Sequence, residues 1–209
     1  IEVTNLRPDH AAAFVGLATV QSNVGKLAES RTNFGRAIAI KSDFPEAFLG
    51  LGVTLKLMGH LNEAEIAFKK ALDLRSNYAE ASANLGNLYN EKGDLQSAAK
   101  YFETAVKIKP DFAIAYNNLG SIYREQKKYN EAIQLYDQLI DQNPNSPKAL
   151  SNLGLLCKEI GEYEVSENFF RQSLNLNPNS HITLCNLGDL LNKQNKFDEA
   201  EILTRKAIE

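Results

Sequence analysis

The sequence contains no tryptophan, one methionine and only two cysteines among 209 residues. Cys157 and Cys185 cannot build a disulfide framework, and such sparse use suits a reducing compartment. The expected location is therefore cytoplasmic. An excess of one charge is also lacking: 23 basic and 26 acidic side chains are interspersed and leave a formal net charge of -3. That removes the electrostatic reason to expect nucleic acid or an anionic membrane as a partner. Nor is there a basic patch interleaved with aromatics. The longest apolar-looking run, residues 11–20, is far short of the ~20 residues that span a bilayer. No secretory signal is visible. The chain starts on Ile1 and not on Met, so a piece of a longer protein is expected.

Chemistry-bearing motifs are missing too. There is no G-x-S-x-G, no glycine-rich phosphate loop and no H-E-x-x-H. His181, Cys185 and Asp189 stand four apart, a spacing that could put three ligands on one helix face. A four-coordinate metal needs more, and no second cluster is evident. A polar stripe is the better reading. The expectation is no catalytic residue, no metal and no cofactor, hence no enzyme activity within these residues.

What the sequence does have is a repeat of 34 residues. Residues 79–112, AEASANLGNLYNEKGDLQSAAKYFETAVKIKPDF, lie over residues 113–146, AIAYNNLGSIYREQKKYNEAIQLYDQLIDQNPNS, without a gap. The pair Leu51-Gly52 returns as Leu85-Gly86, Leu119-Gly120, Leu153-Gly154 and Leu187-Gly188, with Leu17-Ala18 one period earlier. A turn glycine recurs at Gly25, Gly59, Gly93 and Gly161, where Lys127 and Asn195 take the other two places. Small residues follow at Ser30, Ala64, Ala98, Ala132, Ser166 and Ala200. A ring recurs at Phe34, Phe68, Phe102, Tyr136 and Phe170, and Thr204 breaks the row. Ala37, Ala71, Ala105, Leu139, Ser173 and Ala207 form another mostly small row. Pro8, Pro110, Pro144 and Pro178 close their units, with Ser42 and Ser76 in the equivalent places.

Each unit therefore reads as helix, tight turn, helix, loop. Gly86 in a helix interior costs about 1 kcal/mol against Ala. Its return in five units calls for a close approach by the second helix, with the Ala98 row as the facing surface and Tyr89 and Phe102 filling the rest. One hairpin cannot bury these side chains alone, so neighbouring units must stack.

These rows resemble the tetratricopeptide repeat family, from Ala11 to the end of the chain. The family's aromatic near the start of the first helix is kept as Phe14, Phe48 and Tyr116, with Leu150 in the same place, whereas Ser82 and Leu184 depart. The resemblance implies an all-α fold, a right-handed superhelical solenoid of antiparallel helical hairpins. The expected organisation is a single array over 1–209. Residues 1–10 are the tail of a preceding repeat, 11–44, 45–78, 79–112, 113–146 and 147–180 are full repeats, and 181–209 is a partial one.

In such solenoids the first helices line the binding face. One row on them reads Gly16, Gly50, Asn84, Asn118, Asn152, Asn186. Asparagine is a poor helix former because its side chain competes for backbone hydrogen bonds. It also carries one acceptor and one donor group, which complement a peptide unit. Four in one register make a ladder able to hold extended main chain, although duplication of a composition rich in asparagine would also copy the row. The row resembles the asparagine ladder in the tetratricopeptide half of O-linked N-acetylglucosamine transferases, where asparagines clasp substrate backbone. Asn87 and Asn117 flank it. Beside Gly16 and Gly50 the lining is Ala12, Val15, Leu49, Val53 and Leu57, which suggests an apolar end to the groove or packing against a missing upstream unit. Lys56, Arg124 and Lys158 share a further register, next to Glu91, Glu125 and Glu159. These rows read as a solvated face or as selectors of charged side chains. A carboxylate clamp of the kind some relatives use is not expected: Asn87, Asn118 and Lys148 fit three of its places, but Ala83 and Asn152 remove the charge from the other two.

The expected function is a scaffold that binds an extended protein segment through the asparagine row. Two alternatives stand beside it. One is the substrate-recognition region of a larger enzyme, such as a glycosyltransferase, with catalysis outside these residues. The other is a structural protein that self-associates through uncapped ends. The expected partner is a protein or peptide, with no nucleic acid and no membrane.

Overall fold

The structure, a computed structural model, describes residues 10–208. The expected tail at residues 1–10, with Pro8, lies outside them apart from His10. Twelve helices and no strand occur among the described residues. The chain divides into two compact units between Pro110 and Asp111. The first unit holds α1 (Ala11–Asn23), α2 (Leu27–Ile40), α3 (Pro45–Leu57), α4 (Leu61–Leu74), α5 (Ala79–Glu91) and α6 (Leu95–Ile108). The second holds α7 (Ala113–Glu125), α8 (Tyr129–Gln142), α9 (Pro147–Glu159), α10 (Tyr163–Leu176), α11 (His181–Lys193) and α12 (Phe197–Ile208).

Odd and even helices pair as hairpins in both units. Within each unit the second helix of one hairpin also packs on the first helix of the next, and successive first helices touch. The turns inside the hairpins follow from backbone chemistry. Gly25, Gly59, Gly93 and Gly161 have φ between +79° and +90°. Lys127 and Asn195 hold the same left-handed conformation, φ 58° and 62°, which costs a residue with a side chain more than it costs glycine. Each turn is closed by a backbone bond such as Asp94 N–H to the Tyr89 carbonyl, 2.9 Å.

In four first helices the glycine of the Leu-Gly pair has a ring as its occupant, and in α11 Gly188 faces Thr204 instead. An added Cβ would lie 2.5 Å from the Phe68 ring at Gly52, 2.8 Å from Phe102 at Gly86, 2.4 Å from Tyr136 at Gly120 and 2.9 Å from Phe170 at Gly154. The close approach is thus a ring laid on helix backbone, where a facing helix was expected. Phe34 differs. Its own partner is Ala18, which carries a Cβ, and the ring instead reaches the next hairpin, 2.2 Å from an added Cβ at Gly50. Serines in the small row stay buried by donating inward: Ser30 to the Ala18 carbonyl at 2.8 Å and Ser166 to the Gly154 carbonyl at 2.6 Å.

Two measurements test this account. Gly86→Leu overfills the space of the Phe102 ring and lowers unfolding free energy by about 1–3 kcal/mol in urea titrations; an unchanged midpoint contradicts the ring contact. Lys127→Gly relieves the left-handed turn and raises stability by roughly 0.5–1 kcal/mol despite the added unfolded-chain entropy; a loss means that the Lys127 side chain contributes more than its backbone costs.

Candidate functional site

A residue two places before the packed glycine lies about 200° around the helix from it. The ring contact therefore turns the asparagine row away from the hairpin core. Asn84, Asn118, Asn152 and Asn186 are all half-buried.

In the first unit, Asn84 Nδ2 donates to the Glu80 carbonyl at 2.8 Å, a back-bond within its own helix. Asn87 is half-buried and already engaged. Val15, Leu49 and Val53 are half-buried and Leu57 is 60% exposed, so α1 and α3 carry an apolar strip where the asparagines stop. A Cβ at Gly16 would enter open space, while Gly50 is filled from below by Phe34.

In the second unit, Asn118, Asn152 and Asn186 stand on α7, α9 and α11, with α9 touching both neighbours. Asn152 Nδ2 donates to Asn117 Oδ1 at 2.9 Å, and Asn117 Nδ2 donates to the Ala113 carbonyl at 2.8 Å. Asn117 is 5% exposed. It was expected at the binding surface; its register faces the following first helix, which covers it, and its amide orients that of Asn152. The Tyr136 hydroxyl donates to the Asn117 carbonyl at 3.3 Å, and burial raises the phenol pKa, so the ring stays a neutral donor.

The basic row is committed to neighbours. Lys56 pairs with Glu91 at 3.4 Å and Arg124 with Glu159 at 2.8 Å, each reaching 35 residues ahead to the next first helix. The residue 35 after Lys158 is Lys193, a like charge, and Lys158 turns to Asp189 at 2.9 Å. These pairs tie first helices together and were not expected as such. Lys158 is the most withdrawn, with 11% of its side chain exposed.

His181, Cys185 and Asp189 are exposed on α11, and no group of three His, Cys, Asp or Glu is placed to hold a metal among the described residues. Cys157 is buried, and burial raises its thiol pKa. No helix among the described residues is long and apolar enough to cross a membrane.

Two features of the first unit escaped sequence reading. A cavity of about 620 Å³ opens over Phe48, Leu51 and Leu55, on the face of α3 opposite the apolar strip. It exists because Ala67 occupies a row filled elsewhere by Tyr101, Leu135, Phe169 and Leu203, and that row was the available signal. The other is a polar clasp at Glu65. Its carboxylate accepts from Lys69 and the Tyr89 hydroxyl, both at 2.7 Å, and from Lys92 at 2.6 Å.

The repeat assignment now has independent support. Profiles of the tetratricopeptide repeat match residues 57–111, 84–147, 123–182 and 169–202. The chain belongs to the tetratricopeptide repeat family. Among solved structures it is similar to a tetratricopeptide repeat protein from Parabacteroides merdae, at 22% identity and a TM-score of 0.81 over 95% of this chain and 78% of that one. It is similar to Pseudomonas aeruginosa pilF, at 18% identity and 0.80 over 92% and 88%. It is also similar to YrrB, described as a tetratricopeptide repeat protein with an unusual peptide-binding site, at 18% identity and 0.69 over 88% and 94%. At these identities the likeness is one of fold. No curated protein matches the sequence. Tetratricopeptide repeats serve as protein-interaction scaffolds, and that coarse role holds for this chain.

Lys69 first, then Lys92 and Tyr89, lower the Glu65 pKa to about 2. A carboxylate depressed by folding stabilises the native state above its unfolded pKa, here 4.5, and loses that contribution as pH falls towards about 2. Glu65→Gln therefore lowers stability at neutral pH by about 1 kcal/mol, a figure kept small because Lys69 is solvated. The gap from wild type closes between the two pKa values. Urea midpoints across that window check it; a gap that persists at the acid end refutes the linkage.

Proposed function

We propose that the chain holds an extended peptide segment on its first helices, with the asparagine row gripping the partner's main chain. The observation that carries this reading is the run Asn118, Asn152 and Asn186 on successive first helices of the second unit. Amides with one donor and one acceptor group suit peptide backbone and are tolerant of side-chain identity. The neighbouring charges are paired across helices and so hold the scaffold on which the amides stand. Asn117 takes a supporting role, holding Asn152 from beneath. In the first unit, Val15, Leu49, Val53 and Leu57 receive apolar side chains. The peptide-binding site ascribed to YrrB is consistent with such a role for this fold. Lys56, Arg124 and Lys158 then act by holding the helices that present the amides.

The test starts from a peptide selected by the chain from a displayed random library. Asn118→Ala with Asn152→Ala should weaken its binding by about tenfold or more, the value of one or two net hydrogen bonds, with unchanged helicity. Methylating the peptide's backbone nitrogens should cost as much, while alanine at the same peptide positions costs little. Unaltered affinity in the asparagine variant, or dependence on side chains alone, rejects the ladder.

A further inference from the structure

One turn before each asparagine of the row, the same helix face carries a second register. It reads Glu46 and Glu80 in the first unit, and Ile114, Lys148 and Ile182 in the second. The acids of the first unit are already paired. Glu46 is bound to Arg75 and Glu80 to Lys109, each 29 residues on. Their charge also suits the first turn of a helix, the positive end of its dipole.

The second unit departs on both counts. The places 29 residues after Ile114 and Lys148 hold Asn143 and Asn177, which are neutral. Lys148 is exposed in the first turn of α9, where a cation opposes the dipole, and no carboxylate pairs with it among the described residues. Arg124 and Lys158, on the same helix faces, each have an acid. On either side of Lys148, Ile114 of α7 is 59% exposed and Ile182 of α11 is 62% exposed. Two bare aliphatic side chains thus flank one cation whose position costs helix stability, and each of the three stands one turn from an asparagine.

We infer that the partner segment carries an acidic side chain between two aliphatic ones, each three residues from the acid, in a polyproline II conformation. The inference rests on the proposed grip of the asparagine row on main chain. The acid meets Lys148, and the aliphatic side chains cover Ile114 and Ile182. Spacing selects the conformation. Helices α7, α9 and α11 touch in sequence, and packed helices lie about 8–10 Å apart. Asn152 reaches Asn117 at 2.9 Å and Arg124 reaches Glu159 at 2.8 Å across the first of these gaps. A polyproline II chain brings every third side chain back to one face after about 9 Å. One repeat therefore matches one turn of the ligand. A β-strand fails this match, because side chains three apart point to opposite sides. Polyproline II also makes no internal hydrogen bonds, so its peptide groups remain for the asparagines.

The probe is a synthetic peptide with leucine, glutamate and leucine spaced three apart, alanine and proline between them, titrated by fluorescence anisotropy. Its binding should weaken about threefold or more when the glutamate becomes glutamine, and should weaken as salt rises. The same three side chains spaced two apart, the strand period, should bind no better than a scrambled peptide. Lys148→Glu should reverse the preference towards a lysine-centred probe. It should leave the urea midpoint unchanged or higher, because an acid returns to the helix start. Ile114→Ala with Ile182→Ala should remove the dependence on leucine at unchanged helicity. The variant Asn118→Ala with Asn152→Ala separates the two readings. Binding that this variant weakens, but that ignores the glutamate and its spacing, overturns the inference and keeps the ladder. Binding that follows the glutamate and its spacing while the asparagine variant matches wild type upholds the side-chain pattern and rejects the ladder. A probe that does not bind, or a Lys148→Glu chain that still prefers glutamate, overturns the inference.

Discussion

The structure depends on an aromatic ring resting on a stretch of helix that has no side chain beneath it. Phe68, Phe102, Tyr136 and Phe170 each lie where a Cβ on the facing glycine would stand. The glycine costs about 1 kcal/mol of helix propensity. Burying a ring of that size returns more than this, on the order of 25 cal/mol per Å² of apolar area withdrawn from water. The same contact sets the rotation of the first helix. Once Gly120 faces Tyr136, Asn118 must face the other way. A packing contact deep in each hairpin therefore decides which side chains the surface displays. Where the ring goes elsewhere the surface changes with it: Phe34 fills Gly50, in the very register that later carries asparagine.

Polar groups are distributed in two layers around that contact. Beneath the rings, serine hydroxyls replace alanine without loss because each finds a main-chain carbonyl, as Ser166 does at Gly154. Above them, charges on the first helices bridge from one hairpin to the next. Lys56 and Arg124 reach 35 residues ahead, and Lys158 gives up that reach because Lys193 stands there. Exposed pairs of this kind contribute little each. Their larger effect is on alternatives: a hairpin sliding by one turn would lose its partners or meet like charge.

Much of this was legible in the sequence because repetition substitutes for comparison between proteins. The hairpin boundaries follow the 34-residue register, and Lys127 and Asn195 keep the left-handed turn in place of glycine. What stayed hidden depends on rotamers and on neighbours one repeat away. The glycine row announced a close approach but not that a ring makes it. Asn117 and Asn118 are adjacent in sequence, yet one is sealed by the next helix and the other lies at the surface. The Glu65 clasp joins residues from two hairpins whose registers do not coincide, so no single row points to it. The cavity over Leu51 and Leu55 is a row read in the negative, an alanine where four other repeats place a large side chain.

Repetition also explains how one hairpin holds the next. In a stacked array each unit must fit the one before and the one after, so every unit has two unlike faces that complement each other. Where α10 meets the last hairpin, Glu167 accepts from Lys196 and Arg171 donates to Glu199, and Leu174 packs on the cluster of Leu187, Leu190 and Leu191. The apolar contact supplies the burial, and the two ion pairs of opposite sense fix which turn of one helix faces which turn of the other.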